Sequence, residues 1–233
     1  MVLFFDIDGT LLHTTGCGMA SILEAGRELH GPSFTLEGIP VAGRLDPLIF
    51  SDAFERNNIP DTHEHHVALR RAYIPKLNTR LQTTATATVL PGVNSLLDAL
   101  TDAHTQSRVT LSLLTGNFQE SGTLKLVRCG IDPARFAFGV WGDDGPPKPK
   151  REDLVPVGMR RADAFRSRPH AHNDFVVIGD TPHDVRCAKV HGGRCLAVAT
   201  GQFSLEQLRD AGADLAVPTL EATDELVAWL TRN

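Results

Sequence analysis

Five short apolar runs punctuate the chain: Leu3 to Ile7, Val109 to Leu114, Phe136 to Val140, Phe175 to Asp180 and Arg194 to Thr200. Each has the length of a buried strand rather than of a helix. The later runs alternate with stretches of helical periodicity, "FQESGTLKLVRCG", "LVPVGMRRADAF" and "PHDVRCAKVHGG". Strands alternating with helices predict right-handed βαβ units. The expected fold is therefore α/β, a Rossmann-like parallel-sheet core with helices on both faces.

Between the first run and the second the pattern changes. "MASILEAGRELHG" repeats its apolar positions with helical spacing and ends on Gly31, a residue suited to a helix C-cap. "DPLIFSDAFERNNIP" does the same and stops at Pro60, and "VALRRAYIPKLNTRL" continues the theme. This predicts an α-helical module over residues 13–86, inserted into a discontinuous core of residues 1–12 and 87–233. Its two crossings fall near "HTTGCG" and "TTATATVLPG". A module joined by two crossings can open and close over a site at the end of the first strand.

Two carboxylates, Asp6 and Asp8, sit one residue apart in "VLFFDIDGTLL", Val2 to Leu12, a stretch built around the first apolar run. A buried carboxylate is costly unless it is paired, hydrogen-bonded or metal-bound. In an open parallel sheet, ligands bind beyond the carboxyl ends of the strands, where Asp6 lies. Two other strand ends carry polar groups: "LLTGN" supplies Thr115, Gly116 and Asn117, and "VVIGDTPHD" supplies Asp180 and Asp184. Converging carboxylates suit a hard cation, most simply Mg²⁺. A strand-to-helix turn such as "TGN" offers a hydroxyl and free N–H groups to an anion. Capping alone explains Thr181 and Asp184, with Pro182 at the first helical position, but it does not explain Asp180.

Charge and cysteines narrow the class. A formal net charge of -5 over 233 residues leaves no basic stripe for nucleic acid and no polybasic patch for a membrane surface. No apolar run approaches the length of a membrane span, and "MVLFF" runs straight into Asp6, so a soluble, cytoplasmic protein is expected. The four cysteines form no CxxC pair and read as reduced, buried thiols.

Taken in order, "DIDGT", "LLTGN" and "GDTPHD", with the helical module entering before "LPGV", resemble the haloacid dehalogenase-like hydrolase superfamily. Within it they resemble the phosphoglycolate phosphatase-like enzymes with a helical cap. The resemblance implies that Asp6 is a nucleophile forming an aspartyl-phosphate, and that Asp8 acts as the acid and base. It implies Mg²⁺ held by Asp6, by the backbone carbonyl of Asp8 and by Asp180, with Asp184 holding metal waters. Thr115, Gly116 and Asn117 would bind the phosphoryl oxygens of a small phosphorylated metabolite. Dehalogenases lack an acid at the position of Asp8, so a leaving alcohol is implied. The same family needs a lysine, either Lys125 in "SGTLKLVRCG" or Lys148 in "PPKPKRED". Lys125 is favoured, because a cation in an apolar helical stretch needs a partner.

Substrate choice is expected from the module, with Arg44 in "VAGRLDP" available to a carboxylate or phosphate. Asp46 and Pro47 read as N-cap and first-turn residues. "HEHH", His63 to His66, is read as solvated, and so are Arg166, Arg168, His170 and His172 of "RSRPHAHND". A sugar phosphomutase of the β-phosphoglucomutase type shares the first half-reaction, and a non-catalytic binding protein of the same fold is the reading from another class. The presence of Asp6, Asp8 and Asp180 together favours an enzyme. The oligomeric state is not legible.

Overall fold

The computed structural model describes residues 1–83, 87–102, 108–147, 149–167, 169–171 and 173–232. Its centre is strand β1, Val2–Phe5, whose four residues are all buried. Side chains alternate across a strand, so Leu3 and Phe5 enter one apolar layer while Val2 and Phe4 enter the other. Both faces must therefore be covered, and a continuous apolar run results.

Six strands make the main sheet, in the order β5-β4-β1-β6-β7-β8. Here β4 is Thr110–Leu114, β5 is Gly139–Val140, β6 is Phe175–Gly179, β7 is Arg194–Val198 and β8 is Leu215–Val217. Every pairing is parallel, and Val2 lies opposite both Thr110 and Phe175. Helices α4 (Val93–Thr101), α5 (Gln119–Arg128) and α9 (Thr223–Leu230) supply the Leu3 face through residues such as Leu96, Leu126 and Leu226. Helices α6 (Leu154–Arg166), α7 (Pro182–Val190) and α8 (Leu205–Asp210) cover the other through Val155, Val185 and Leu208. The chain builds outward from β1 to β4 and β5, then crosses to β6 on the opposite side. That reversal is the switch point at which such sheets open a crevice.

Helices α1 (Cys17–His30), α2 (Asp46–Arg56) and α3 (His63–Thr83) form a separate layer. Leu69, Tyr73, Leu77 and Leu81 recur every fourth residue along α3 and pack with Ile22, Phe50 and Phe54. The chain enters and leaves this layer through an antiparallel pair, β2 (Leu12–His13) with β3 (Thr88–Val89). Part of the second predicted crossing, residues 84–86, lies outside the described residues. Phe118 of the sheet layer joins the helical cluster, 5.3 Å from the Phe50 ring. No described helix is long and apolar enough to cross a membrane.

Several local expectations are corrected. The run from Phe136 contributes only Gly139–Val140 as strand, because Pro133–Arg135 forms a 3₁₀ turn and Phe136 closes it. Edge strand β8 was not foreseen: three residues before a proline carry too little pattern. His65 and His66 begin α3 half-buried against Phe54, and His66 Nε2 bonds Asp61 Oδ1 at 2.6 Å. Arg166 ends α6 and donates to Thr110 Oγ1 and the Val109 carbonyl, tying the helix to β4. His170 is bound to Asp163, whereas Arg168 and His172 lie outside the described residues.

Candidate active site

The site lies where β1, β4 and β6 end side by side. Strand β1 stops at Phe5 and delivers Asp6, whose N–H still bonds the Ile178 carbonyl of β6. The chain then folds back on Ile7, whose carbonyl accepts the N–H groups of Leu11 and Leu12 at 2.9 and 3.1 Å. This turn needs Gly9: its φ is +75°, and a Cβ there would stand 2.4 Å from Asp180 Oδ2. The "DIDGT" and "GDTPHD" segments are thus packed directly against each other. Thr10 Oγ1 donates to Asp180 Oδ1 at 3.2 Å.

Asp180 follows β6, and Thr181 caps α7. Thr181 N–H and its hydroxyl both donate to Asp184 Oδ2, at 3.1 and 2.7 Å, so the expected capping box is present. Asp6, Asp180 and Asp184 are buried and offer oxygens within 4.8 Å of one another. Burial raises the Asp6 carboxyl to about 6; Arg151 opposes the rise, and Asp184 and Asp8 add to it. Burial, with Asp184 and Asp6 beside it, raises Asp180 to about 8. Gathered around one buried guanidinium, Asp6 and Asp180 hold their protons more tightly than free carboxylates do.

The cation that does face them was not foreseen in the sequence. Arg151 is buried, with Nη2 2.8 Å from Asp6 Oδ2 and 2.7 Å from Asp184 Oδ1. Burial works against its charge, but Asp184 and Asp6 outweigh it and hold the guanidinium above its ordinary value. It sits in "PPKPKRED", where a charged, proline-rich run reads as a solvated loop. What could have marked it is its place directly ahead of the apolar "LVPV" of α6, where Arg151–Asp153 forms a 3₁₀ turn that points the chain inward. Lys148, in the same run, lies outside the described residues.

Lys125 is also buried, on α5. Its Nζ is 2.6 Å from Asp8 Oδ2 and 2.6 Å from Asn117 Oδ1, so its nearest partner is Asp8 rather than Asp6. Asn117 Nδ2 completes the ring by donating to Asp8 Oδ2 and Thr115 Oγ1, each at 2.8 Å. Burial lowers the lysine, and Asp8 and Asp46 more than restore it, leaving it raised. Asp8 is held at one oxygen by two donors while remaining half-exposed to the cavity.

The helical layer closes the other side. Asp46 is the first residue of α2 rather than its cap, and Leu45 takes the cap position. Its carboxylate turns away from its own helix to accept Phe118 N–H at 2.9 Å and the Ser121 hydroxyl at 3.0 Å. Its own N–H bonds the Gly116 carbonyl at 2.7 Å. Arg44 lines the cavity, yet its Nε and Nη2 both donate to Asp52 Oδ2, the first at 3.0 Å. A Cβ on Gly116 would lie 2.1 Å from the Arg44 carbonyl oxygen. Gly116→Ala is therefore expected to push the helical layer off the turn. Displacements of about 1 Å at such sites cost on the order of 10²-fold in rate, so kcat/KM should fall to that extent while urea stability of the sheet changes little. An unchanged kcat/KM would show that the layer need not sit this close.

Asp6, Asp8, Thr115, Gly116, Asn117, Lys125, Arg151 and Asp180 thus line one cavity of about 370 Å³, with Arg44 at its helical wall. Solved structures share this architecture. A hydrolase from Pseudomonas syringae superposes with a TM-score of 0.70 at 19% identity, over 99% of each chain. A predicted phosphoglycolate phosphatase from Haemophilus somnus gives 0.68 at 17% identity, over 97% of this chain and 96% of its own. CbbY from Rhodobacter sphaeroides, solved in complex with phosphate, gives 0.68 at 18% identity over 94% of each. At these identities the likeness is one of fold. Among curated proteins, none matches the chain by sequence. The family model for haloacid dehalogenase-like hydrolases matches residues 3–198, and the chain belongs to that family.

Proposed function

We propose that the protein is a Mg²⁺-dependent phosphomonoesterase that hydrolyses a small phosphorylated metabolite through an aspartyl-phosphate on Asp6, with helices α1 to α3 as its cap. The observation that carries this reading is the meeting of Asp6, Asp8 and the Thr115–Asn117 turn with two buried cations in one cavity. Asp6 Oδ2 is engaged by Arg151, and Thr115 hydrogen-bonds the same carboxylate, favouring the charged form that attacks phosphorus. Asp8 Oδ2 is anchored by Lys125 and Asn117, which leaves Oδ1 to give a proton to the leaving alcohol and later take one from water. Arg151 Nη2, shared between Asp6 and Asp184, places fixed positive charge beside the attacking carboxylate.

The donor set fits a hard cation: three carboxylates offer oxygens within 4.8 Å of one another. Asp6 and Asp180 are the direct ligands in this reading. Both Asp184 oxygens are already taken, one by Arg151 and one by Thr181, which suits a role in holding metal waters. When bound, Mg²⁺ supplies positive charge against the phosphoryl oxygens. A cytoplasmic location belongs to the same proposal, supported by four cysteines that form no disulfide among the described residues.

The test is phosphate release from a panel of small phosphomonoesters, with Mg²⁺ or with EDTA. Release that requires Mg²⁺ supports the reading, and the absence of release from every ester overturns it. Product analysis with a phosphosugar separates a mutase, which returns the phosphoryl group to the sugar.

The metal also sets a pH dependence. Asp180 binds its proton more tightly folded, near 8, than unfolded, at the usual 3.8. That contribution is complete below 3.8 and is lost as pH rises through 8. Above pH 7 the histidines whose pKa burial lowers, His30 and His183, are already neutral and do not oppose it. Urea stability in EDTA should therefore drop by about 1.4 kcal/mol between roughly pH 7 and 9, and Mg²⁺ should abolish the drop. A flat EDTA profile would contradict it.

A further inference from the structure

We propose that the ester accepted here carries an uncharged, partly apolar alcohol, not one bearing a carboxylate or second phosphate; the inference rests on the phosphatase reading above. The helical layer presents Met19, Ile22, Val41 and Ile49 to the cavity, and these side chains form the surface against which the alcohol lies. An apolar wall gives an alkyl or aryl group its hydrophobic contact and gives an anion none.

Charge points the same way. Among the described residues lining the cavity, the cations are Arg44, Lys125 and Arg151, and each is already paired: with Asp52, with Asp8, and with Asp6 and Asp184. His13 Nε2 is bound to the Thr200 carbonyl at 2.8 Å. Arg44 is the cation nearest the apolar wall in sequence, and the sequence offers it as a carboxylate receptor. Two of its N–H groups converge on Asp52 Oδ2, so the pair carries no net charge. A substrate carboxylate would have to share Arg44 with Asp52, so that one guanidinium faces two carboxylates, or displace Asp52 from it. Asp6, Asp8, Asp46 and Asp180 already line the cavity, and the phosphoryl dianion consumes what positive charge a metal adds. The volume of about 370 Å³ must hold both phosphoryl group and alcohol, which favours a compact ester.

The experiment compares kcat/KM for n-propyl phosphate, 2-hydroxyethyl phosphate and phosphoglycolate, with Mg²⁺, in the wild-type protein and in Asp52→Asn. These esters share the phosphoryl group and differ at the far end. The expected result is a preference of roughly tenfold or more for the neutral esters over phosphoglycolate in the wild-type protein, an anion–cation pairing worth about that much. Asp52→Asn frees Arg44 and should raise the phosphoglycolate-to-propyl ratio roughly fivefold or more, intrinsic reactivity cancelling between variants. Phosphoglycolate equalling or exceeding n-propyl phosphate, or a ratio unmoved by Asp52→Asn, would overturn the inference and leave the phosphatase standing. Release from none of the esters would remove the phosphatase reading and the inference together, a result distinct from a panel that phosphoglycolate wins.

Discussion

Asp6→Asn is expected to lower Mg²⁺-dependent phosphate release by on the order of 10³-fold or more, the scale seen when a covalent nucleophile is removed. The fold should not suffer. Asn has the same volume, and its carbonyl oxygen can still accept from Arg151 Nη2, which lies 2.8 Å from Asp6 Oδ2. Burial already disfavours the charged carboxylate, raising it to about 6, so a neutral group removes a desolvation cost. Metal-free stability should hence be unchanged or slightly higher, while turnover disappears. Initial rates and urea denaturation on the same preparation separate the two. A variant that kept a tenth or more of its activity would exclude Asp6 as nucleophile; one that lost stability as well would mark a structural residue.

How much of this site the chain announces depends on local context. Asp6 and Asp180 were legible because each directly follows an apolar strand, where a carboxylate needs a reason. The Thr115–Asn117 turn was legible because it closes another strand at the same sheet edge. Lys125 could be favoured from its apolar helical setting, although its partner proved to be Asp8 and Asn117. Arg151 stayed hidden because its neighbours are charged and proline-rich, and only tertiary structure shows that a 3₁₀ turn buries it. Asp46 was read as a helix cap, a local role, because nothing in sequence shows that Phe118 N–H and the Ser121 hydroxyl stand nearby. Residues set apart by their own surroundings, a carboxylate at the end of an apolar strand or a lysine in an apolar helix, could be read; those whose role comes only from partners on another layer, as with Arg151 and Asp46, could not.

Arg151 therefore gives the second large effect. Arg151→Met keeps much of the side chain's bulk and removes the charge that bridges Asp6 and Asp184. Truncating one member of a buried ion cluster costs about 3–5 kcal/mol, because the remaining charges stay buried and unpaired. In EDTA the variant should lose stability on that scale, and it also gives up the contact at 3.2 Å with the Gly43 carbonyl of the helical layer. Mg²⁺ supplies positive charge to the same carboxylates, so it should recover a good part of the loss. Arg151→Lys retains a charge for the two carboxylates, which a single nitrogen, Nη2, now bridges, but loses the second arm that donates to the Gly43 carbonyl, and should fall between. Phosphate release should drop roughly 10²-fold or more in Arg151→Met even with Mg²⁺ saturating, the scale for losing a preorganised donor to the transition state. Urea titrations of the three proteins with and without Mg²⁺ read the stability prediction. If Arg151→Met were as stable as wild type in EDTA, Asp6 and Asp184 would have to be protonated together in the resting protein, and the charge balance argued for this site would be wrong.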